Sequence, residues 1–180
     1  MIRISGRSDL LAAALAAAVL VTLGSGPAAA QDMTAALADS GWDGKKVPLS
    51  QVCGRFGGKD TMSPKIVLSN IPEGVVAIEV WFNDESYEPM DWGGHGKVKY
   101  AIPAGSKSVE LVGIPGETDA LPEGVSVVKA HKGSQWSGTG GAYLPPCSGG
   151  RGNSYSAWVI AKSADGDRIG PRLKVPFGGY

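Results

Sequence analysis

At 180 residues, with 17 basic and 17 acidic side chains and a formal net charge of zero, the chain has no electrostatic case for binding nucleic acid or an anionic membrane surface. Its 27 glycines and 12 prolines suit many turns and short strands rather than long helices, and 43% hydrophobic residues is enough for an ordinary core, which excludes a disordered chain.

Residues 1–30 read as a secretory signal peptide. Arg3 and Arg7 give a positive start, LLAAALAAAVLVTL (10–23) a short apolar run, and GSGPAAA (24–30) small residues suited to cleavage after Ala30. The alternative, a membrane anchor, needs roughly 20 apolar residues, and the run falls short. No cysteine stands near the cleavage point to carry a lipid, and the two arginines are not adjacent as in a twin-arginine signal. A periplasmic or secreted protein is expected, without stable membrane insertion.

The remainder, 31–180, is about one domain long. A polar lead over 31–41 includes Asp32–Ser40, which suits a short helix. Strand patterning then dominates. GVVAIEVWF (74–82) places Val76, Ile78, Val80 and Phe82 on one face and Val75, Ala77, Glu79 and Trp81 on the other, as in a strand buried on most of both sides. KVKYAIP (97–103) alternates, with Val98, Tyr100 and Ile102 inward. SVELVG (108–113), GVSVVKA (124–130), SYSAWVIAK (154–162) and RLKVPF (172–177) follow the same rule. IPEG (71–74) and LPEG (121–124) are type I turn sequences, and AGSK (104–107) and ADGD (164–167) are further reversals. The longest stretch without strand character is SGTGGAYLPPCSGGRGN (137–153). The pattern predicts an all-β antiparallel sandwich with few short helices.

Cys53 and Cys147 are the only thiols, and an exported protein keeps its disulfides, so they are read as a pair. The bridge would close most of the domain and contribute roughly 4–5 kcal/mol by loop entropy. Two separate thiols, one of them reactive, is the alternative. Neither these cysteines nor His95 and His131 have metal-site spacing. No G-x-S-x-G elbow, P-loop or dinucleotide fingerprint is met, and no cofactor is expected. His131, flanked by Lys132, suits the surface. What remains is a constellation: Asp84 at a strand end, His95 in DWGGHGK, Pro89 between them, and LPPCSGGRGN leading into Tyr155.

Four segments carry a resemblance: MSPKIVLSNIPEGVVAIEVWFND, WGGHGKVKYAIPAG, LPEGV and GAYLPPCSGGRGNSYSAWVIAK, in that order. Together they resemble the phosphatidylethanolamine-binding protein family, whose bacterial members are called Raf-kinase-inhibitor-like, over residues 42–180. Ser63-Pro64 is similar to the Ser-Pro before that family's first core strand, and PPCSGG to its Gly-Pro-Cys-Pro-Pro loop. The resemblance implies a Greek-key β-sandwich, not an enzyme, with a small pocket for a phosphoryl or similar oxyanion group. It implies pocket roles for Asp84, Pro89, His95, Pro146 and Tyr155, with Asp84 orienting a histidine that donates to the ligand. Departures are visible. NDESYEP replaces Asp-Pro-Asp-Ala-Pro, Gly96 stands in place of a tryptophan, and Asn153 takes the place of a second histidine. Arg151 is placed to restore positive charge. Plainer readings stay open: Asp84 as a turn former, His95 as a solvated loop residue, Asn153 as a turn residue and Tyr155 as core. A protein-interaction or inhibitor module with a vestigial pocket is the alternative function, and a weak hydrolase a distant third.

Overall fold

The structure, a computed structural model, describes residues 1, 2 and 32–180, so the export-signal reading of 1–30 lies outside the described residues. Eight strands form two antiparallel sheets. Thr34–Leu37 (β1), Ile66–Ser69 (β2) and Ser108–Leu111 (β5) make one, in the order β1-β2-β5. The other is built from Ala77–Asp84 (β3), Lys97–Ala101 (β4), Val125–Lys129 (β6), Ser154–Lys162 (β7) and Leu173–Gly179 (β8), in the order β6-β4-β3-β7-β8. Helical structure among the described residues is limited to single 3-10 turns at Leu49–Gln51, Gly54–Phe56 and Glu88–Met90 and one α-turn, Ser134–Ser137 (α1). The all-β antiparallel expectation holds at this level.

Period-two alternation explains why the two sheets share one core. Ile66, Leu68 and Leu111 of the smaller sheet bury in one cluster with Ile78, Val80, Phe82, Val98, Tyr100, Val159, Val175 and Phe177 of the larger. The Phe82 ring lies 4.5 Å from that of Tyr143 and 6.1 Å from that of Phe177, centroid to centroid, closing one end of this core with aromatic area. The opposite face of β3 is only half covered, since Glu79 and Trp81 keep partial exposure. Ala77 and Asn83 on that face are buried, so the expectation that β3 buries most of both faces holds, less completely on the second side.

The turns behave as their residues require. Gly74 and Gly124, at the exits of the two PEG turns, have φ of +81° and +77°, a region that a side chain disfavours. The lead differs from expectation. Thr34–Leu37 is a strand, pairing Thr34 with Ser69 and Leu37 with Ile66. Helix propensity in this alanine-rich stretch yields to pairing, because Ala35 and Leu37 then pack against the core while Thr34 and Ala36 face out.

Within the larger sheet, β3 and β7 pair over eight positions, from Ala77 opposite Lys162 to Asp84 opposite Tyr155. Asp84 shares the parity of Ile78, Val80 and Phe82, and Tyr155 that of Ala157 and Val159. Both side chains therefore sit at the same end of the core-facing surface. At that end Cys53 and Cys147 form a disulfide, with Cα atoms 5.2 Å apart, across a sequence separation of 94. Cys53 N–H also donates to the Pro146 carbonyl at 3.0 Å.

A loop of this length makes the bridge a large contributor to stability. The Cys53→Ala/Cys147→Ala double variant is expected to lose about 4 kcal/mol in urea unfolding at neutral pH. A loss under about 1 kcal/mol would show that the unfolded chain is not restrained by the bridge.

Candidate functional site

The strand ends, the disulfide and the long 130–153 connection surround a cavity of about 500 Å³. Asp84 and His95 lie deepest, 4% and 3% exposed, with Asn153 and Ser148 beside them. Met90, Leu144, Cys147, Phe56, Tyr87 and Trp136 make the walls, Ser86 stands at the rim, and Arg55 and Arg151 complete the lining as exposed cations. Four of the residues singled out from sequence, Asp84, His95, Arg151 and Asn153, thus converge on one space.

The hydrogen bonds of the floor can be followed atom by atom. Asn153 Nδ2 donates to Asp84 Oδ2 at 2.7 Å, and the Ser86 backbone N–H donates to Asp84 Oδ1 at 3.0 Å. Because the amide nitrogen of Asn153 must face the carboxylate, its carbonyl oxygen is the free end. His95 Nδ1 donates to the Leu144 carbonyl at 2.8 Å, an acceptor that fixes the ring proton on Nδ1. In the neutral ring Nε2 is then a lone-pair acceptor, and it has no protein partner among the described residues.

The structure thus divides a task that the sequence had given to one pair. Leu144 orients His95, while Asp84 holds Asn153. Burial pulls the His95 pKa from 6.5 down to about 4; the Leu144 bond and the Asp84 charge oppose this without overcoming it, and His131 adds to it. At neutral pH His95 is uncharged, which changes the expectation that it donates to an oxyanion.

Three other sequence-derived residues occupy different places. Tyr155 lies behind the cavity, its ring 5.4 Å from that of His95 and edge-on to it at 82°. Its hydroxyl accepts the Cys147 N–H at 3.2 Å, and burial pushes the phenol up to about 12, so it stays neutral. Pro146 is buried next to Tyr155 and His95 and fixes the loop to Cys53 through its carbonyl. Pro89 is exposed in the Glu88–Met90 turn, outside the cavity lining, with its carbonyl accepting from Lys132 Nζ at 3.1 Å.

His131 is buried rather than on the surface. Its Nδ1 accepts from the Gly133 N–H at 3.2 Å, and its Nε2 is buried without a partner. The polar neighbours Lys132 and Ser134 gave no sign of this. It follows from the backbone, where His131 N–H reaches the Gly141 carbonyl and Lys132 N–H the Gly94 carbonyl, pressing the segment against the His95 loop.

That loop is held by an unusual set of contacts on the outer face of the larger sheet. Trp92 has φ of +53°, costly for a bulky residue, and its ring stacks on Trp158 at 5.9 Å and 14°. The Arg172 guanidinium lies between Trp92 and Trp81, at 5.8 and 5.6 Å, and Lys97 Nζ sits 3.5 Å over Trp81. Gly93 N–H donates to Asn83 Oδ1 at 2.7 Å. Gly96 follows with φ of +116°, and a Cβ there would lie 2.0 Å from the Ala142 carbonyl oxygen. The chain segment carrying Leu144 runs directly against this glycine, so no tryptophan fits at this position.

The residues missed from sequence are chiefly the walls: Arg55, Phe56, Tyr87, Met90, Trp136 and Leu144. Arg55 and Phe56 had one available signal, since a Cys53–Cys147 bridge brings the residues after Cys53 beside the PPCSGG loop. Their contacts confirm it. Arg55 donates to the Trp136 carbonyl, and Phe56 lies so close to Gly149 that a Cβ there would be 2.8 Å from its ring. Among the described residues, no group of three or more His, Cys, Asp or Glu could hold a metal ion, and no helix is long and apolar enough to cross a membrane. No family model, no curated protein and no solved structure matches the chain.

Two outcomes test this geometry. A histidine kept neutral by folding is protonated first in the unfolded chain, so stability falls as pH drops from about 6.5 through about 4. In urea unfolding at pH 7, 5 and 4, His95→Gln should flatten this decline by on the order of 3 kcal/mol, and an unchanged slope would contradict the neutral ring. Gly96→Ala should destabilise by about 3 kcal/mol, combining the left-handed backbone with a clash against main chain, as read from the same unfolding curves.

Proposed function

We propose that the chain is an exported, non-enzymatic binding protein of the phosphatidylethanolamine-binding type, a Greek-key β-sandwich that receives a small ligand with an anionic end. The observation that carries this reading is the 500 Å³ cavity at the open end of the core, into which a buried histidine turns an unpartnered ring nitrogen. A cleft with convergent polar groups and apolar walls is the ordinary setting for a ligand. Arg55 and Arg151 supply the positive charge that Asn153, in place of a histidine, does not. The four ordered sequence segments and the two antiparallel sheets support the family reading.

Binding rather than turnover is favoured by the state of the lining nucleophiles. Cys147 is consumed in the disulfide, and Ser148 donates its hydroxyl proton to the Tyr180 carbonyl at 2.6 Å rather than to His95. The partly exposed rings of Phe56, Tyr87 and Trp136 in the same lining favour one second reading, in which a protein partner docks over a vestigial pocket.

Titration with phosphate, phosphorylethanolamine and acetate, followed through the His95 imidazole by NMR, tests the pocket. At least one of the three should shift the resonance, and Arg151→Ala should weaken the response several-fold, the usual scale for a charge-assisted contact. If none shifts it, and loop exchange over 145–151 abolishes capture of a native partner, the interaction module becomes the better account.

A further inference from the structure

We propose that the cavity takes its ligand amine-first, with a protonated primary amine on the floor formed by Asp84, Asn153 and His95 and the ligand's anionic end toward Arg55 and Arg151. This deepens the binding reading above and rests on it.

The inference comes from counting donors and acceptors. Asp84 is a carboxylate that accepts two bonds, from Asn153 and Ser86, and has lone pairs to spare. Asn153 spends one amide N–H on Asp84, which leaves its second N–H and its carbonyl oxygen. His95 spends its ring proton on the Leu144 carbonyl, which leaves the Nε2 lone pair. Ser148 spends its proton on Tyr180. Asp84 and His95 Nε2 therefore offer only acceptance, and Asn153 Oδ1 adds a third acceptor, so acceptors outnumber the donors left on this floor, one Asn153 N–H and the Ser86 hydroxyl. An oxyanion placed there would face the Asp84 carboxylate and the lone pairs of His95 Nε2 and Asn153 Oδ1, a repulsive arrangement.

An ammonium group has the opposite character, with three donors and a positive charge. Asp84, Asn153 Oδ1 and His95 Nε2 supply three acceptors of different chemistry, one of them charged. His95 favours this occupant because burial keeps it uncharged at neutral pH. The walls fit the same ligand: Phe56, Tyr87 and Trp136 line the cavity with aromatic rings, and Tyr87 and Trp136 stand edge to face, 5.8 Å apart. Such rings suit both the methylene body of an alkyl amine and its charge. Both cations of the lining, Arg55 and Arg151, are exposed rather than buried with Asp84, which leaves an acid group at the far end of the ligand as their natural partner.

Three probes separate the ends. Pentylamine carries only the amine, valerate only the acid, and 5-aminovalerate both; each is titrated calorimetrically into the full-length protein at pH 7 with His95 followed by NMR. Pentylamine should bind and shift His95, and 5-aminovalerate should bind about tenfold or more tightly than valerate. Asp84→Asn should remove that advantage. If valerate binds and pentylamine does not, and 5-aminovalerate is no tighter than valerate, the amine-first inference is overturned while the anion-binding pocket stands. Binding of pentylamine without valerate supports the floor assignment and overturns the role given to the arginines. If no probe binds, both readings fail. Because the decisive comparison uses the wild-type protein, misfolding of the variant cannot obscure it.

Discussion

The pairing of β3 with β7 is the constraint on which the rest depends. Eight consecutive positions fix two strands in one register, and the side-chain period of two then dictates what each end of the pair presents. Moving the register by one residue would turn Asp84 and Tyr155 away from the core and dismantle the floor of the cavity. The apolar residues that enforce the register, Ile78, Val80, Phe82, Ala157 and Val159, are among the most buried in the molecule. Site geometry and core stability are therefore set by the same hydrophobic alternation.

The polar chemistry at that strand end follows from a second constraint, the obligation of buried groups to find partners. Leu144 reaches His95 only because Gly96 lets the 142–144 segment lie against the main chain, with Leu144 N–H donating to the His95 carbonyl at 2.9 Å. The tryptophan and cation stack on the opposite side of the sheet offsets the left-handed backbone of Trp92 in the same loop. A glycine that admits a neighbouring strand and an aromatic ladder that restrains the turn thus position one imidazole from two sides. The result is a neutral ring with a defined tautomer.

Much of this was legible in the sequence where alternation was strong. SYSAWVIAK was bounded as observed, because apolar alternation and a glycine-rich approach coincide there. The third strand is bounded three residues later than read, although Val76 already bonds to Lys162 and Ile102, and it runs on to Asp84 because pairing with β7 continues. Thr34–Leu37 was misread because alanine propensity is local and strand pairing is not. Asp84, His95, Arg151 and Asn153 were found as a set, but their hydrogen-bond partners were not. No spacing rule reports that a carbonyl 49 residues away will accept the histidine's N–H. His131 was missed for the same reason, as its burial comes from backbone contacts with Gly94 and Gly141 neighbours that carry no side-chain signal.

The Cys53–Cys147 bridge has a meaning beyond the loop it closes. One of its ends carries Arg55 and Phe56, and the other carries Ser148 and Arg151, so two opposite walls of the cavity share a single covalent joint. The bridge adds to the stability of the whole domain, and it also holds these two walls together. Reduction removes both contributions at once, so material handled with thiol has a less stable fold and walls that are free to part. The shape of the cavity is therefore a property of the oxidised molecule, and the redox history of a preparation belongs among the variables that decide it.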